Sequence, residues 1–77
     1  MMKFYYDGEL IRTSKTHDYT HAVVLPSKPG AINKWVALGC RSSLAGAQAM
    51  IAERRRHYAK YDPDKAAALR VVPLEKR

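Results

Sequence analysis

The sequence predicts an α+β fold: an antiparallel sheet of four or five strands with one main helix packed on one face, in the order β-β-β-β-α-β. Three observations predict it, namely an Asp-Gly pair between short apolar runs, two later runs rich in β-branched and aromatic residues, and one long stretch of helix formers. The chain has 77 residues, 47% of them hydrophobic. It should therefore fold, and residues 1–77 have room for a single domain.

The first two strands form a hairpin. The Asp-Gly pair at positions 7 and 8 lies between "KFYY" and "ELIRT". A two-residue Asp-Gly loop is a strong hairpin signal because both of its residues need positive φ. This turn predicts the cross-strand pairs Tyr5–Leu10 and Phe4–Ile11, and we expect the Phe4 face to join the core.

Two further strands continue a meander. The run Tyr19–Leu25 is rich in β-branched and aromatic residues and predicts the third strand, and Lys34–Cys40 predicts the fourth. The loop between them carries the turn signal Pro29-Gly30. Because the connections are short, consecutive strands should pair in one antiparallel sheet.

The helix follows the sheet. A serine pair at positions 42 and 43 predicts its start, and "LAGAQAMIAERRRHYAKY" forms its body, with Leu44, Ala47, Ile51 and Tyr58 along the apolar stripe. Asp62-Pro63 ends it, and a short helical turn should follow over 62–69. A last edge strand is predicted over 70–74, and the tail 75–77 should be frayed.

The charge of the chain favours anionic partners. Its 14 Lys and Arg outnumber 7 Asp and Glu, which gives a net charge of +7. Such an excess steers nucleic acid, a nucleoprotein or an acidic protein surface toward the chain. Nothing in the sequence has the length of a membrane span or a signal peptide, so we expect a cytoplasmic protein without a membrane partner. A homodimer is also an expected assembly, because a meander leaves an edge strand open.

The run "ERRRHYAK" carries the densest basic cluster of the chain, suited to phosphates or clustered carboxylates. A second basic area is predicted on the strands, where an outward-facing tyrosine could stack on a base. The candidate binding residues are Arg54, Arg55, Arg56, Lys60, Arg12, Lys3, Tyr5, Lys15 and Arg41.

The signals for catalysis and for metal binding are weak. His17 and His21 would lie about 13 Å apart on a strand, too far to share one ion. Cys40 is the only cysteine, so a disulfide within the chain or a cysteine metal site cannot form. No glycine-rich phosphate loop exists, and we expect no cofactor. A metal-independent ribonuclease built from His21, Tyr19 and Arg12 remains an alternative to a non-enzymatic protein.

The stretch "MKFYYDGELIRTSKTHDYTHAVV" resembles the opening of small proteins from phages and other mobile elements. In size and layout the chain is also similar to anti-CRISPR proteins. That resemblance implies a non-enzymatic inhibitor that binds a CRISPR effector complex and blocks recognition of target DNA. Many such inhibitors are acidic mimics of DNA, whereas this chain should contact an acidic protein surface or the nucleic acid itself. A plain DNA- or RNA-binding module is the main alternative.

Overall fold

A strand that is apolar on both faces lies at the centre of the molecule. The computed structural model describes residues 1–77 and contains eight elements. In chain order they are β1 (Met2–Tyr6), β2 (Glu9–Ser14), β3 (His21–Pro26), β4 (Trp35–Arg41), α1 (Leu44–Tyr61), α2 (Pro63–Ala68), β5 (Arg70–Pro73) and β6 (Glu75–Lys76). The predicted α+β class is confirmed, with strands preceding one main helix. Neither helix is long and apolar enough to cross a membrane.

The strands form two antiparallel sheets instead of the single meander that the sequence predicts. One sheet has the order β4-β3-β5 and the other the order β2-β1-β6. The reason lies in β3: Val23 and Leu25 join a cluster beneath the helices, whereas Ala22 and Val24 join a second cluster that includes side chains of β1 and β2. Both faces of β3 must therefore be covered, so the first hairpin packs over the central sheet and does not extend it.

The C-terminal tail is paired, contrary to the prediction of a frayed end. The predicted last strand is present as β5, which pairs with β3, and the tail predicted to be frayed contains β6, which pairs with β1. The main chains of Lys3 and Arg77 exchange two hydrogen bonds of 3.0 and 2.8 Å. Strand β1 pairs with β2 along one side only, so its other side is free. The tail pairs there as β6.

The hairpin turn has the predicted geometry, with φ of 54° at Asp7 and 76° at Gly8. Tyr5 lies opposite Leu10 as expected, but a bulge then places Phe4 opposite Arg12 instead of Ile11. Phe4 is nevertheless fully buried. The extra residue of the bulge is Ile11, which packs against the cluster between the sheets.

Capping residues set both ends of α1 as predicted. The Ser43 hydroxyl accepts a hydrogen bond from the backbone N–H of Gly46 at 3.0 Å. Asp62 ends the helix and caps α2 through the N–H of Lys65. The buried stripe differs in part, because Leu44 is 47% exposed and Met50 is buried. Gly39 of β4 makes room for Met50, since a Cβ at that position would collide with the Met50 thioether.

Candidate functional site

Cationic side chains gather where the end of β4 meets α1. The tight connection through the Ser43 cap turns the chain back, so that Arg41 lies beside the middle of the helix. Arg41, Arg54 and His57 border a pocket of about 270 Å³ together with Met50 and Glu53. One helical turn further along, a second open hollow is bordered by residues of the last two turns, namely Arg56, His57, Ala59, Lys60 and Tyr61.

We call this region the basic helix surface, defined as Arg41, Arg54, Arg56, His57, Lys60 and Tyr61. Each of these side chains is exposed to solvent. The ion pairs of the molecule lie elsewhere, between Lys34 and Asp7, Lys76 and Asp18, and Arg77 and Glu75. The cations of the basic helix surface thus have no carboxylate partner within the chain, and only Glu53 borders them.

Arg55 lies apart from its two neighbours in the arginine run. Its Nη2 donates to the main-chain carbonyl oxygen of Leu69 at 3.3 Å. Successive helical residues point about 100° apart, so three consecutive arginines cannot share one direction. Arg54 and Arg56 therefore line the two pockets, whereas Arg55 connects α1 to the chain that enters β5.

An aromatic pair completes the C-terminal end of the surface. His57 and Tyr61 are one helical turn apart, and their ring centroids are separated by 5.2 Å with a tilt of 51°. Tyr61 is 75% exposed. Neither residue is among the candidates predicted from the sequence, although their i, i+4 spacing next to the arginines is a signal that identifies such a pair.

The second predicted basic area is divided by the two-sheet architecture. Lys3 and Tyr5 lie on β1 opposite to buried Phe4 and so face outward. Arg12 lies at the rim between the sheets, and Lys15 lies in the exposed turn after β2. Only Arg41, of the strand residues, joins the cations of the helix.

The predicted stacking residue Tyr5 already has a partner. The guanidinium carbon of Arg77 lies 4.4 Å from the centroid of the Tyr5 ring. Arg77 is held there by the carboxylate of Glu75 at 3.1 Å, and this hydrogen bond raises the pKa of the guanidinium. A base would have to displace Arg77 from that face of the ring.

The residues of the ribonuclease alternative lie on different sides of the central sheet. Tyr19 packs toward the outer sheet, with the Arg12 guanidinium carbon 6.0 Å from its ring centroid. His21 lies opposite Arg41 in the register of β3 and β4. Because side chains alternate along a strand, His21 lies on the same face of the sheet as Val23, toward α1. His21 Nδ1 is hydrogen-bonded to the Thr20 hydroxyl at 2.8 Å.

No three side chains of histidine, cysteine, aspartate or glutamate come together in a way that could hold a metal ion. The two histidines that the sequence places four residues apart, His17 and His21, have separate environments. His17 stacks on Tyr19 with ring centroids 5.5 Å apart, whereas His21 lies on β3.

No protein-family model, curated protein or solved structure matches the chain.

Proposed function

We propose that this protein is a non-enzymatic binding protein that docks its basic helix surface on the phosphates of a nucleic acid, either free or held in a nucleoprotein. One observation carries the proposal: four Lys and Arg side chains at one surface have no carboxylate partner within the chain. These side chains are Arg41, Arg54, Arg56 and Lys60.

The chemistry of these groups suits phosphate. A guanidinium presents a planar fork of N–H donors that matches two phosphate oxygens, and a lysine adds a mobile point charge. Each contacted phosphate releases condensed counterions, so four contacts correspond to a slope of about −3 to −4 in log K against log salt. The net charge of +7 adds long-range attraction.

The aromatic end of the surface favours a single strand over a duplex. Tyr61 offers an exposed ring beside Arg56 and Lys60, and an unpaired base could stack there while its phosphates reach the cations. A base within a duplex is already stacked on its neighbours and is not available to this ring.

The anti-CRISPR resemblance suggests one specific setting for the same chemistry. In that setting the basic helix surface binds a CRISPR effector nucleoprotein and prevents it from recognising target DNA. This version predicts a stable complex of the protein with an effector and loss of target binding by that effector. An inhibitor whose affinity is unaffected by neutralising Arg54 and Arg56 would use another surface.

The test is a titration of labelled single-stranded RNA, single-stranded DNA and duplex DNA of equal length at several salt concentrations. The variant Arg54→Gln/Arg56→Gln removes two charges from the surface. The matched control Lys28→Gln/Lys65→Gln removes two charges from exposed positions outside it.

We expect the first variant to weaken binding and to reduce the salt slope by about 2, and the control to change little. The RNA should be recovered intact after the titration. Equal losses of affinity in both variants would mean that only the net charge of the chain attracts the nucleic acid. Cleavage of the RNA would contradict the non-enzymatic proposal.

A further inference from the structure

Exposed apolar side chains are concentrated at one place away from the basic helix surface. Six large hydrophobic residues of the chain are substantially exposed, and three of them, Leu10, Ile32 and Val36, lie around a single groove. Ile32 is 100% exposed, and the other two are 48% exposed. The groove, which we call the edge groove, has a volume of about 550 Å³ and lies between β2, β4 and the loop that connects β3 to β4.

The edge groove is neutral on a strongly basic molecule. Among its eleven lining residues only Glu9 and Arg12 are charged, and their charges cancel, whereas the whole chain carries +7. A second copy of this chain would be repelled by most of the surface. At the edge groove the two charges of the lining residues cancel, and three exposed apolar side chains lie together.

We propose that the edge groove is the interface of a two-fold symmetric homodimer, in which each copy covers the other's Leu10, Ile32 and Val36. This inference does not depend on the proposed function. In a two-fold interface, residue i of one copy meets residue j of the other and the reverse also holds. One carboxylate and one guanidinium per copy meet that requirement, because Glu9 of each chain can pair with Arg12 of the other.

Both of these charged groups have capacity for an additional partner. Arg12 makes no ion pair within the chain, and its guanidinium is positioned only by Tyr19, at 6.0 Å. Glu9 uses Oε2 to accept the backbone N–H of Lys34 at 2.8 Å, which leaves Oε1 available.

The proposed dimer interface should be stabilised more by side-chain packing than by pairing of edge strands from the two copies. Strands β2 and β4 are edge strands of their respective sheets. Each carries a bulge, between Leu10 and Arg12 in β2 and between Ala37 and Gly39 in β4. A bulge interrupts the regular row of edge hydrogen bonds and makes strand addition less favourable. The apolar side chains beside the bulges are left as the main source of stability.

The decisive variant is Ile32→Asp, with mass measured by light scattering after size exclusion, over a range of protein concentrations. Ile32 is fully exposed in the single chain, so this change should leave the fold intact. We expect the unsubstituted protein to reach twice 8.7 kDa and the variant to have a dimer dissociation constant at least about tenfold higher. The control Leu44→Asp changes another exposed apolar residue, outside the edge groove, and should dimerise normally.

Charge exchange and salt provide a second test. Arg12→Glu and Glu9→Arg should each weaken the dimer, and the double exchange should restore it in part. Salt should strengthen the dimer by screening the +7 charges, the opposite of its effect on nucleic-acid binding. A protein that stays monomeric at the highest concentration, or a dimer unaffected by Ile32→Asp, would overturn the inference.

Discussion

The guanidinium of Arg55 donates to the carbonyl oxygen of Leu69 across 3.3 Å and so joins the middle of α1 to the residue that precedes β5. Leu69 is one of the most deeply buried side chains of the molecule. The hydrogen bond therefore stabilises the position of the chain where it leaves α2 and enters the central sheet. Within one run of three arginines, Arg55 supports the fold, whereas Arg54 and Arg56 remain free at the surface.

This division predicts different effects on stability. We expect Arg55→Ala to lower the free energy of unfolding by about 1 kcal/mol, the usual contribution of one hydrogen bond. Arg54→Ala should change it by less than about 0.5 kcal/mol, as is usual for a surface position. Urea unfolding of the two variants measures both values. Equal values for the two variants would mean that the bond to Leu69 contributes nothing.

Tyr61 should determine the proposed preference for single strands. Because its ring is exposed, Tyr61→Ala should leave the fold intact but remove a base-stacking contribution of about 1–3 kcal/mol from single-strand binding. Duplex binding should be unchanged, and Tyr61→Phe should keep the preference because it keeps the ring. Fluorescence anisotropy with matched single and double strands measures this. If Tyr61→Ala binds single strands as tightly as the unsubstituted protein, the ring has no part in recognition.

The buried thiol of Cys40 should make stability depend on alkaline pH. Burial raises the pKa of Cys40 above its ordinary value of 9.0, and the smaller influence of Arg12 and Arg41 opposes this. Above that pH the thiol of the unfolded chain loses its proton while the folded one keeps it. The contribution of Cys40 is thus complete below pH 9.0 and is lost as the pH rises toward the folded-state pKa.

The measurement is urea unfolding from about pH 8 to about pH 10.5 for the unsubstituted protein and for Cys40→Ala. The two proteins differ only at position 40, so the difference between the two slopes isolates the thiol. We expect the unsubstituted protein to lose stability more steeply over this range. Parallel slopes would show that the thiol is not protected from ionisation.

The end of the Met50 side chain on α1 occupies the space that a side chain at Gly39 of β4 would take. A Cβ there would force the end of the flexible Met50 side chain to move aside, so we expect Gly39→Ala to cost about 1 kcal/mol of stability or less. In a Met50→Ala background the same substitution should cost much less, because the obstructing atoms are gone. A thermodynamic cycle of the four proteins measures this coupling. A cost that is the same in both backgrounds would place the strain somewhere other than at Met50.

Local signals in the sequence predicted most of the elements. The Asp-Gly turn, the Ser43 cap and the Asp62-Pro63 stop each depend on backbone preferences of a few neighbouring residues. Such preferences are independent of the remainder of the fold, and the structure confirms all three. The apolar run in β3 also predicts a strand, and its burial on both faces in the structure accounts for the second sheet.

The candidate site was predictable only in part. The arginine run identified α1 as the basic element, but the direction of each arginine depends on which helix face meets the sheet. Arg41 joined the site because the turn through Ser43 folds β4 back along the helix. Arg12 is a candidate of the second basic area together with Tyr5, but the bulge in β2 places it opposite Phe4, at the rim between the sheets.

The sequence by itself determined the class of the fold, the caps and turns, the net charge and the segment that carries the arginines, because each of these is set by residues close together in the chain. The tertiary structure decided the rest. It separated the strands into two layers, paired the tail with β1, assigned Arg55 to the fold and grouped Arg41 with the helix. The two layers and the paired tail depend on covering both faces of β3 at once, and the roles of Arg41 and Arg55 depend on which face of α1 meets the sheet. Both are packing requirements that join residues far apart in the chain.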